Sequence, residues 1–525
     1  MKSLIALALI MAIAPATAQS PYANAQDREH AGRYEARDAD WRNGAVVYQV
    51  LVDRFVPPAD LEAKRSLYPA PKTLRAWDEQ PQRGTYLAEQ KLWSHELDFW
   101  GGDLPSLRTR LDYVRQLGVD VLYLNPIHLG YTNHKYDGLD YLQISPEFGT
   151  REDVRALADA VHDNGMKLVL DGVFNHMGRH SPKFRAAEND PRSPYRDWFV
   201  FDSRFPGGAR SWFLAENLPE LNLENPAVRE HLWNGKDSVV RSFLRDGADG
   251  WRLDVAFEIG FNYLTELTQA AHAEKPGSLV VGEIANFPRE WLGPVDALMQ
   301  FSVREVLLRA ANGQLPAPAA QRYLERLLLD APYEHTLKGW IFLDNHDTPR
   351  LVDAVRDPAA RKLAQVLQFT LPGSPNLYYG SEVDMEGVED PTMRGPMAWD
   401  RVAADHPTLA WTKRLIELRK KHRALRVGDY RRIETHGLIA FERFTDRAAD
   451  TVLVLANPSD KPVQETVLVA NSKLMWRTRF VDQLDGSEHL MISSLIDVTI
   501  PPKGLRVLVP DVQPKDGYTN YKRVQ

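Results

Sequence analysis

The sequence predicts an α/β protein built on a (β/α)8 TIM barrel, with an inserted subdomain after the third strand and a C-terminal antiparallel β domain. Three observations carry this. Short apolar runs alternate with amphipathic segments from about residue 45 to 420. One interval, between Asp171 and Gly250, is far longer than the others. After about residue 425 the pattern changes to short alternating segments.

The apolar runs are Val46–Val52, Val119–Asn125, Lys167–Asp171, Gly250–Asp254, Leu279–Glu283, Ala297–Phe301, Trp340–Asp344 and Asn376–Tyr379. Continuous runs of this length suit strands buried on both faces of a parallel sheet. An open doubly wound sheet is the alternative arrangement of the same alternation. Leu104, Leu107, Leu111, Val114 and Leu117 follow helical spacing and stop at Gly118, and Arg151–Asn164 repeats the pattern before Gly165. The long interval holds Pro182, Pro191, Pro194, Pro206, Gly207-Gly208, Trp198 and Trp212, which suits a functional insertion. Leu438–Arg443, Thr451–Asn457, Thr466–Val469 and Asp497–Ile500 alternate like half-buried strands. The expected layout is a polar lead-in without clear period at 19–40, a barrel at 41–424 with its insertion at 177–225, a β-sandwich at 425–512 and a tail at 513–525.

Composition narrows the function. The net charge is −7 and the basic residues are scattered, so no nucleic-acid footprint is present. There is no cysteine, which removes disulfides, thiolate metal sites and a cysteine nucleophile together. Lys2, the apolar run Leu4–Ala14 and the small residues Ala16 and Ala18 read as a cleavable secretory signal over residues 1–18, with a short membrane anchor as the alternative. A periplasmic or secreted protein, free of the membrane after cleavage, is therefore expected.

In such a barrel the chemistry gathers at the C-terminal ends of the strands. Asp171 ends the third run and is followed by Asn175-His176. Arg252 and Asp254 end the fourth, Glu283 ends the fifth, and Asn345-His346-Asp347 follows the seventh. Singly, each has a bland explanation as a cap, a packed histidine or an ion pair. Acids and histidines recurring at four strand ends point instead to one mouth. Arg252 and Asp254, two apart on a strand, share a face, so the guanidinium should orient the carboxylate and keep its pKa low. A second carboxyl, Glu283, with its pKa raised by neighbouring charge or burial, would complete the pair that glycoside hydrolysis uses. Nucleotide-binding glycine motifs, a Gly-x-Ser-x-Gly elbow and zinc motifs are absent.

At these residues the chain resembles the α-amylase family, glycoside hydrolase family thirteen. Asp171-Gly-Val-Phe-Asn-His176, Gly250-Trp-Arg-Leu-Asp254, Val281-Gly-Glu283 and Asp344-Asn-His-Asp347 look like its four ordered motifs, and Leu218-Pro-Glu-Leu-Asn222 is similar to a fifth, in the insertion that the family calls domain B. The resemblance implies Asp254 as nucleophile, Glu283 as general acid/base and Asp347 as a ligand of the 2- and 3-hydroxyls in subsite −1. It implies Arg252 as the residue orienting Asp254, and His176 and His346 as hydrogen-bond partners of the same sugar. Asn133-His134-Lys-Tyr136-Asp137 is similar to the family segment whose tyrosine stacks on that ring, with structural packing the alternative for Tyr136.

Phe99-Trp-Gly-Gly-Asp-Leu104 and Asp390-Pro-Thr-Met-Arg394 are similar to neopullulanases, cyclomaltodextrinases and maltogenic amylases, which implies Asp390 and Arg394 at subsite −2 and Glu258 near subsite +1. Phe257 stands where those enzymes usually carry Asn. Those enzymes also dimerise through an N-terminal domain that has no counterpart before the first apolar run here, so a monomer is expected. No cofactor is needed for the chemistry. A structural calcium is left open, with Asn175 the candidate ligand, because Asp53-Arg-Phe55 is not followed by an Asn/Asp-rich loop. The function expected is retaining hydrolysis of α-1,4-glucosidic bonds in an α-glucan or maltooligosaccharide, starch fragments, cyclodextrins or pullulan. An exo-acting α-glucosidase or transglycosylase is the alternative, and a non-catalytic carbohydrate-binding homologue the third.

Overall fold

The structure, a computed structural model, describes residues 21–524. Eight parallel strands form the central sheet: β1 (Val47–Val50), β2 (Val121–Leu124), β3 (Lys167–Gly172), β4 (Gly250–Leu253), β5 (Leu279–Gly282), β6 (Ala297–Leu298), β7 (Trp340–Ile341) and β8 (Ser374–Tyr378). Their order is β6-β5-β4-β3-β2-β1-β8-β7, and a parallel bridge between Met299 and Trp340 closes the ring. The (β/α)8 barrel is thus the fold, and the open sheet is excluded.

Helices alternate with the strands because the intervening segments carry one apolar face. Leu111–Leu117 buries Leu111, Val114 and Leu117 and ends at Gly118, whose φ of 94° only glycine adopts without strain. Arg151–Asp163 starts at a Thr150/Asp153 capping box and buries Val154, Leu157, Ala158 and Val161. Inside the barrel, Val47, Tyr123, Val169, Val281, Met299, Trp340 and Phe342 form one packed cluster, and the outward strand residues join the helices in a second.

Most of the apolar runs outlast the strands. Asn125, Asp254 and Glu283 lie one step beyond β2, β4 and β5, yet their N–H groups still donate to Val50, Gly172 and Leu253 of the neighbouring strands at 3.0, 3.1 and 3.0 Å. Their backbones are held by the sheet while their side chains are free of it.

Between residues 177 and 225 the chain contains the helix Pro182–Asn189 and otherwise short turns and isolated bridges, among them Phe199–Leu221, before the helices Pro226–Arg229 and Val239–Arg245 lead into β4. The C-terminal strands are β9 (Asp429–Arg432), β10 (Ile439–Phe444), β11 (Val452–Ala456), β12 (Val463–Leu468), β13 (Arg479–Asp482), β14 (Glu488–Leu490), β15 (Leu495–Ile500) and β16 (Leu505–Pro510). They form an antiparallel six-stranded sheet, β9-β10-β11-β16-β13-β14, and the pair β12-β15. Leu438, Leu453, Leu455, Val467, Phe480 and Ile496 fill the space between them.

Two segments differ from their sequence expectation. Residues 19–40, read as an aperiodic lead-in, contain the helix Ala25–Ala39. Local capping and long-range polar contacts, rather than an apolar stripe, hold it: Asn24 and Asp27 form a capping box, and Arg37 pairs with Glu334 and Asp429. The segment 513–525, read as a tail, packs Tyr518 and Val524 against Ala448. Among the described residues no helix is long and apolar enough to cross a membrane.

Arg443 joins the barrel to the C-terminal sheet. It is fully buried and donates to the carbonyls of Thr370, Leu425 and Gly428 at 2.7, 3.1 and 3.0 Å. Arg443→Met should remove the donor from the Thr370 and Leu425 carbonyls, while Gly428 keeps the Tyr333 hydroxyl, and cost on the order of 3 kcal/mol, read as a lower midpoint in urea unfolding. An unchanged midpoint would show that the junction does not depend on these bonds.

Candidate active site

At the C-terminal mouth of the barrel lies a cavity of about 720 Å³. Asp254, Glu283, Asp347, His176, His346, His134, Tyr136, Asp390 and Arg394 all line it, so nine residues singled out in the sequence meet in one place. Arg252, Asp171, Asp137, Glu258 and Asn175 do not line it.

Arg252 lies at its base. Its side chain is fully buried, and Nη1 donates to Asp171 Oδ1 and Oδ2 at 2.9 and 3.0 Å and to Asp254 Oδ1 at 3.1 Å. Nη2 faces Glu283 Oε1 at 2.9 Å. One guanidinium therefore holds two facing carboxyls from above and one from below. Asp171 also accepts the hydroxyls of Tyr123 and Tyr136 at 2.6 and 2.9 Å. Its place is under the cavity wall, where it fixes Arg252 and Tyr136 instead of meeting the cavity itself.

This corrects the expected pKa of Asp254. Burial, against the opposing pull of Arg252, and the charges of Glu283, Asp171 and Asp347 push it well above the usual carboxylate range. The single guanidinium is shared among three carboxylates, so its pull on Asp254 is divided. Glu283 is further fixed by the N–H of Val255, at 3.1 Å from Oε2. Val255 itself adopts φ 47°, an unfavourable conformation for a β-branched residue, directly after Asp254.

Asp347 behaves oppositely. Its carboxyl is open to the cavity, and although the surrounding protein disfavours its charge, His346 at 2.9 Å and Arg394 at 3.0 Å outweigh that and hold it below its usual range. Arg394 also meets Asp390 at 3.2 Å, and with His95 it keeps Asp390 low against the effect of burial. His346 Nδ1 lies 2.8 Å from Gln49 Nε2 and 3.2 Å from Asn125 Nδ2. Two amide donors on Nδ1 leave the proton on Nε2, aimed at Asp347.

Tyr136 stacks on His346 at 5.3 Å with 3° between planes, and His134 lies beside it at 5.8 Å. His134 is held by Glu96 at 3.1 Å. His176 Nε2 meets the carbonyl of Tyr136 at 3.1 Å and lies 4.0 Å from Asp254, while Trp212 stacks against its ring at 5.8 Å. Sequence reasoning did not single out Gln49, Asn125, Glu96, His95 or Trp212 as site residues. Asn125 ends an apolar run as Asp254 and Glu283 do, and that position was the signal available for it. Asp137 accepts the N–H and hydroxyl of Thr132 and shapes the loop that carries His134 and Tyr136. Glu258 is exposed outside the cavity.

Asn175 is the candidate calcium ligand of the sequence. Asn175 is buried with its amide toward His176, and among the described residues no three His, Asp or Glu side chains come together for a metal. Asp53 is occupied by the N–H groups of Trp100 and Gly101.

A barrel with facing carboxyls at its mouth, one guanidinium between them and a sugar-sized aromatic wall defines a carbohydrate-cleaving enzyme. The alpha amylase catalytic domain family matches residues 49–406, and the chain belongs to that family of glycoside hydrolases. Neopullulanase 2 of Thermoactinomyces vulgaris is 33% identical over 478 residues, covering 88% of this chain and 77% of the relative. An intracellular maltogenic amylase of Bacillus subtilis is 33% identical over 395 residues, covering 74% and 63%. Among solved structures, the ligand-free cyclic alpha-maltosyl-(1→6)-maltose hydrolase of Arthrobacter globiformis has a TM-score of 0.74 at 29% identity, covering 90% of this chain and 99% of that one.

These relatives also correct the expected location. The signal-peptide reading falls on residues 1–18, outside the described residues, and a relative matching most of the chain is named an intracellular enzyme. The periplasmic or secreted assignment is therefore withdrawn.

Burial also lowers His176 to about 4, so it stays neutral in the fold while its unfolded counterpart titrates near 6.5. The contribution is complete above pH 6.5 and is lost as pH falls toward 4. His176→Gln should therefore reduce the fall of unfolding free energy across that window relative to the parent chain. Equal slopes in urea titrations at stepped pH would show that His176 charges freely in the fold.

Proposed function

We propose that this enzyme hydrolyses α-1,4-glucosidic bonds in maltooligosaccharides and related α-glucans with retention of configuration. The observation that carries it is the shared guanidinium: Arg252 spans Asp254 and Glu283, at 3.1 and 2.9 Å, from one side of the cavity. Carboxyls bridged in this way suit the close spacing of retaining enzymes, about 5–5.5 Å, rather than the wider gap that admits a water between them. The names of the relatives support an α-glucan as substrate.

In the reacting form Asp254 is ionised against Arg252 and attacks the anomeric carbon, while Glu283 gives its proton to the departing glycosidic oxygen. This leaves a β-glycosyl ester on Asp254 and a carboxylate on Glu283. Glu283 then takes a proton from water, whose oxygen attacks the same carbon and frees Asp254. Asp347, held ionised by His346 and Arg394, accepts the 2- and 3-hydroxyls of the sugar being cleaved. His176 and His346 flank that sugar and hold the Tyr136 backbone and Asp347 in place, and Tyr136 presents its ring to the sugar face. Asp390 and Arg394 meet the next sugar toward the non-reducing end. Arg252 positions the two carboxyls without touching substrate, and Asp171 positions Arg252.

Asp254→Asn and Glu283→Gln should each lower kcat/KM on maltoheptaose by about 1,000-fold or more, with unchanged circular dichroism. In the parent enzyme, proton NMR should show the α-anomer of the new reducing end first. Full activity in either variant would remove the assigned roles, and the β-anomer appearing first would remove retention.

A further inference from the structure

One end of the cavity is crossed by a contact between two distant segments. After β1 the chain folds a short hairpin, Tyr86–Leu87 against Leu92–Trp93. It turns at Lys91, whose φ is 58°, and the Lys91 N–H closes the turn on the Leu87 carbonyl at 2.8 Å. The Lys91 ammonium reaches the carboxylate of Glu216, which lies in the insertion between β3 and β4. Lys91, Trp93 and Glu216 all line the cavity.

The hairpin is tied to the site at its other end. The Trp93 N–H donates to Glu96 at 2.7 Å, and Glu96 holds His134. The Trp93 ring stacks on His95 at 6.2 Å with 26° between planes, and His95 meets Asp390 at 3.3 Å. Trp93 thus continues the wall that Asp390 and Arg394 begin. An α-glucan is neutral, so an ion pair here offers it no charge attraction. What the pair does is join the two walls of the cleft.

We propose that the Lys91–Glu216 pair is a strap across the non-reducing end of the cavity, and that it makes the enzyme select glucans with a free non-reducing end. This rests on the orientation assigned above, in which Asp390 and Arg394 meet the sugar on that side. A free chain end fits beneath the strap beside Trp93, whereas a chain that continues, closes on itself or carries a bulky end group must open the pair. An ion pair with both partners this accessible is weak, so the preference is about fivefold rather than absolute.

The test compares kcat/KM on maltoheptaose with that on maltoheptaose carrying a benzylidene acetal on its non-reducing glucose. The parent enzyme should favour the free end by about fivefold, and Lys91→Ala and Glu216→Ala should each bring the ratio toward one. The double variant Lys91→Glu/Glu216→Lys should restore it. Ionic strength of about 1 M should weaken it in the parent enzyme. A merely structural pair would lower both rates together and leave the ratio unmoved. A parent ratio near one, or a ratio unchanged in both single variants, overturns the strap alone. A parent enzyme that cleaves neither glucan overturns the proposed function and the strap with it.

Discussion

Arg252 is the constraint on which the site depends. A guanidinium with no solvent exposure must be paired, and it is paired on every side: Asp171 below, Asp254 and Glu283 above. Removing one member of such a buried set typically costs about 3–5 kcal/mol, so the group is tied to the stability of the barrel as well as to its chemistry. One cation against three carboxyls also leaves surplus negative charge. A site of that sign holds a proton ready for delivery and favours positive charge growing on a sugar ring. Asp171 takes the most contacts and presents the least surface, which is why it serves as a brace.

A second network sets the opposite condition. Asp347 and Asp390 are held ionised by Arg394, His346 and His95, in the same cavity as Asp254, which is pushed toward protonation. Carboxyls of one type are thereby driven to different states by their partners alone. The amides of Gln49 and Asn125 fix the tautomer of His346, so the second network begins in β1 and just beyond β2, on the opposite side of the ring from β4 and β5. The closed barrel is what brings these distant strands to a common point.

The barrel was legible because parallel strands buried on both faces leave unbroken apolar runs, and its acids were legible because they end those runs. Gln49 was not, since it lies inside the run Val46–Val52 and only the closure of the ring shows that it faces His346. Trp212, His95 and Glu96 were missed for a different reason. They belong to irregular segments whose position is set by tertiary contact, and no period marks them. The helix Ala25–Ala39 lacks an apolar stripe and is held by Arg37 and Tyr34 through Asp429. The low pKa expected of Asp254 failed because a two-residue spacing shows Arg252 beside it but not the two further carboxyls that share the same cation.

That N-terminal helix has a consequence for how the molecule is made. It leaves the ribosome before the barrel does, yet Arg37 and Tyr34 bind Asp429, 392 and 395 residues later, and Asp27 pairs with Arg523, 496 residues later. The helix therefore has no seat until the barrel and the first strand of the last sheet exist. Synthesis from one end requires it to wait, without these partners, until the chain has reached Asp429. Its polar surface and its self-contained Asn24/Asp27 cap suit an element that must stay in water without aggregating until it docks last.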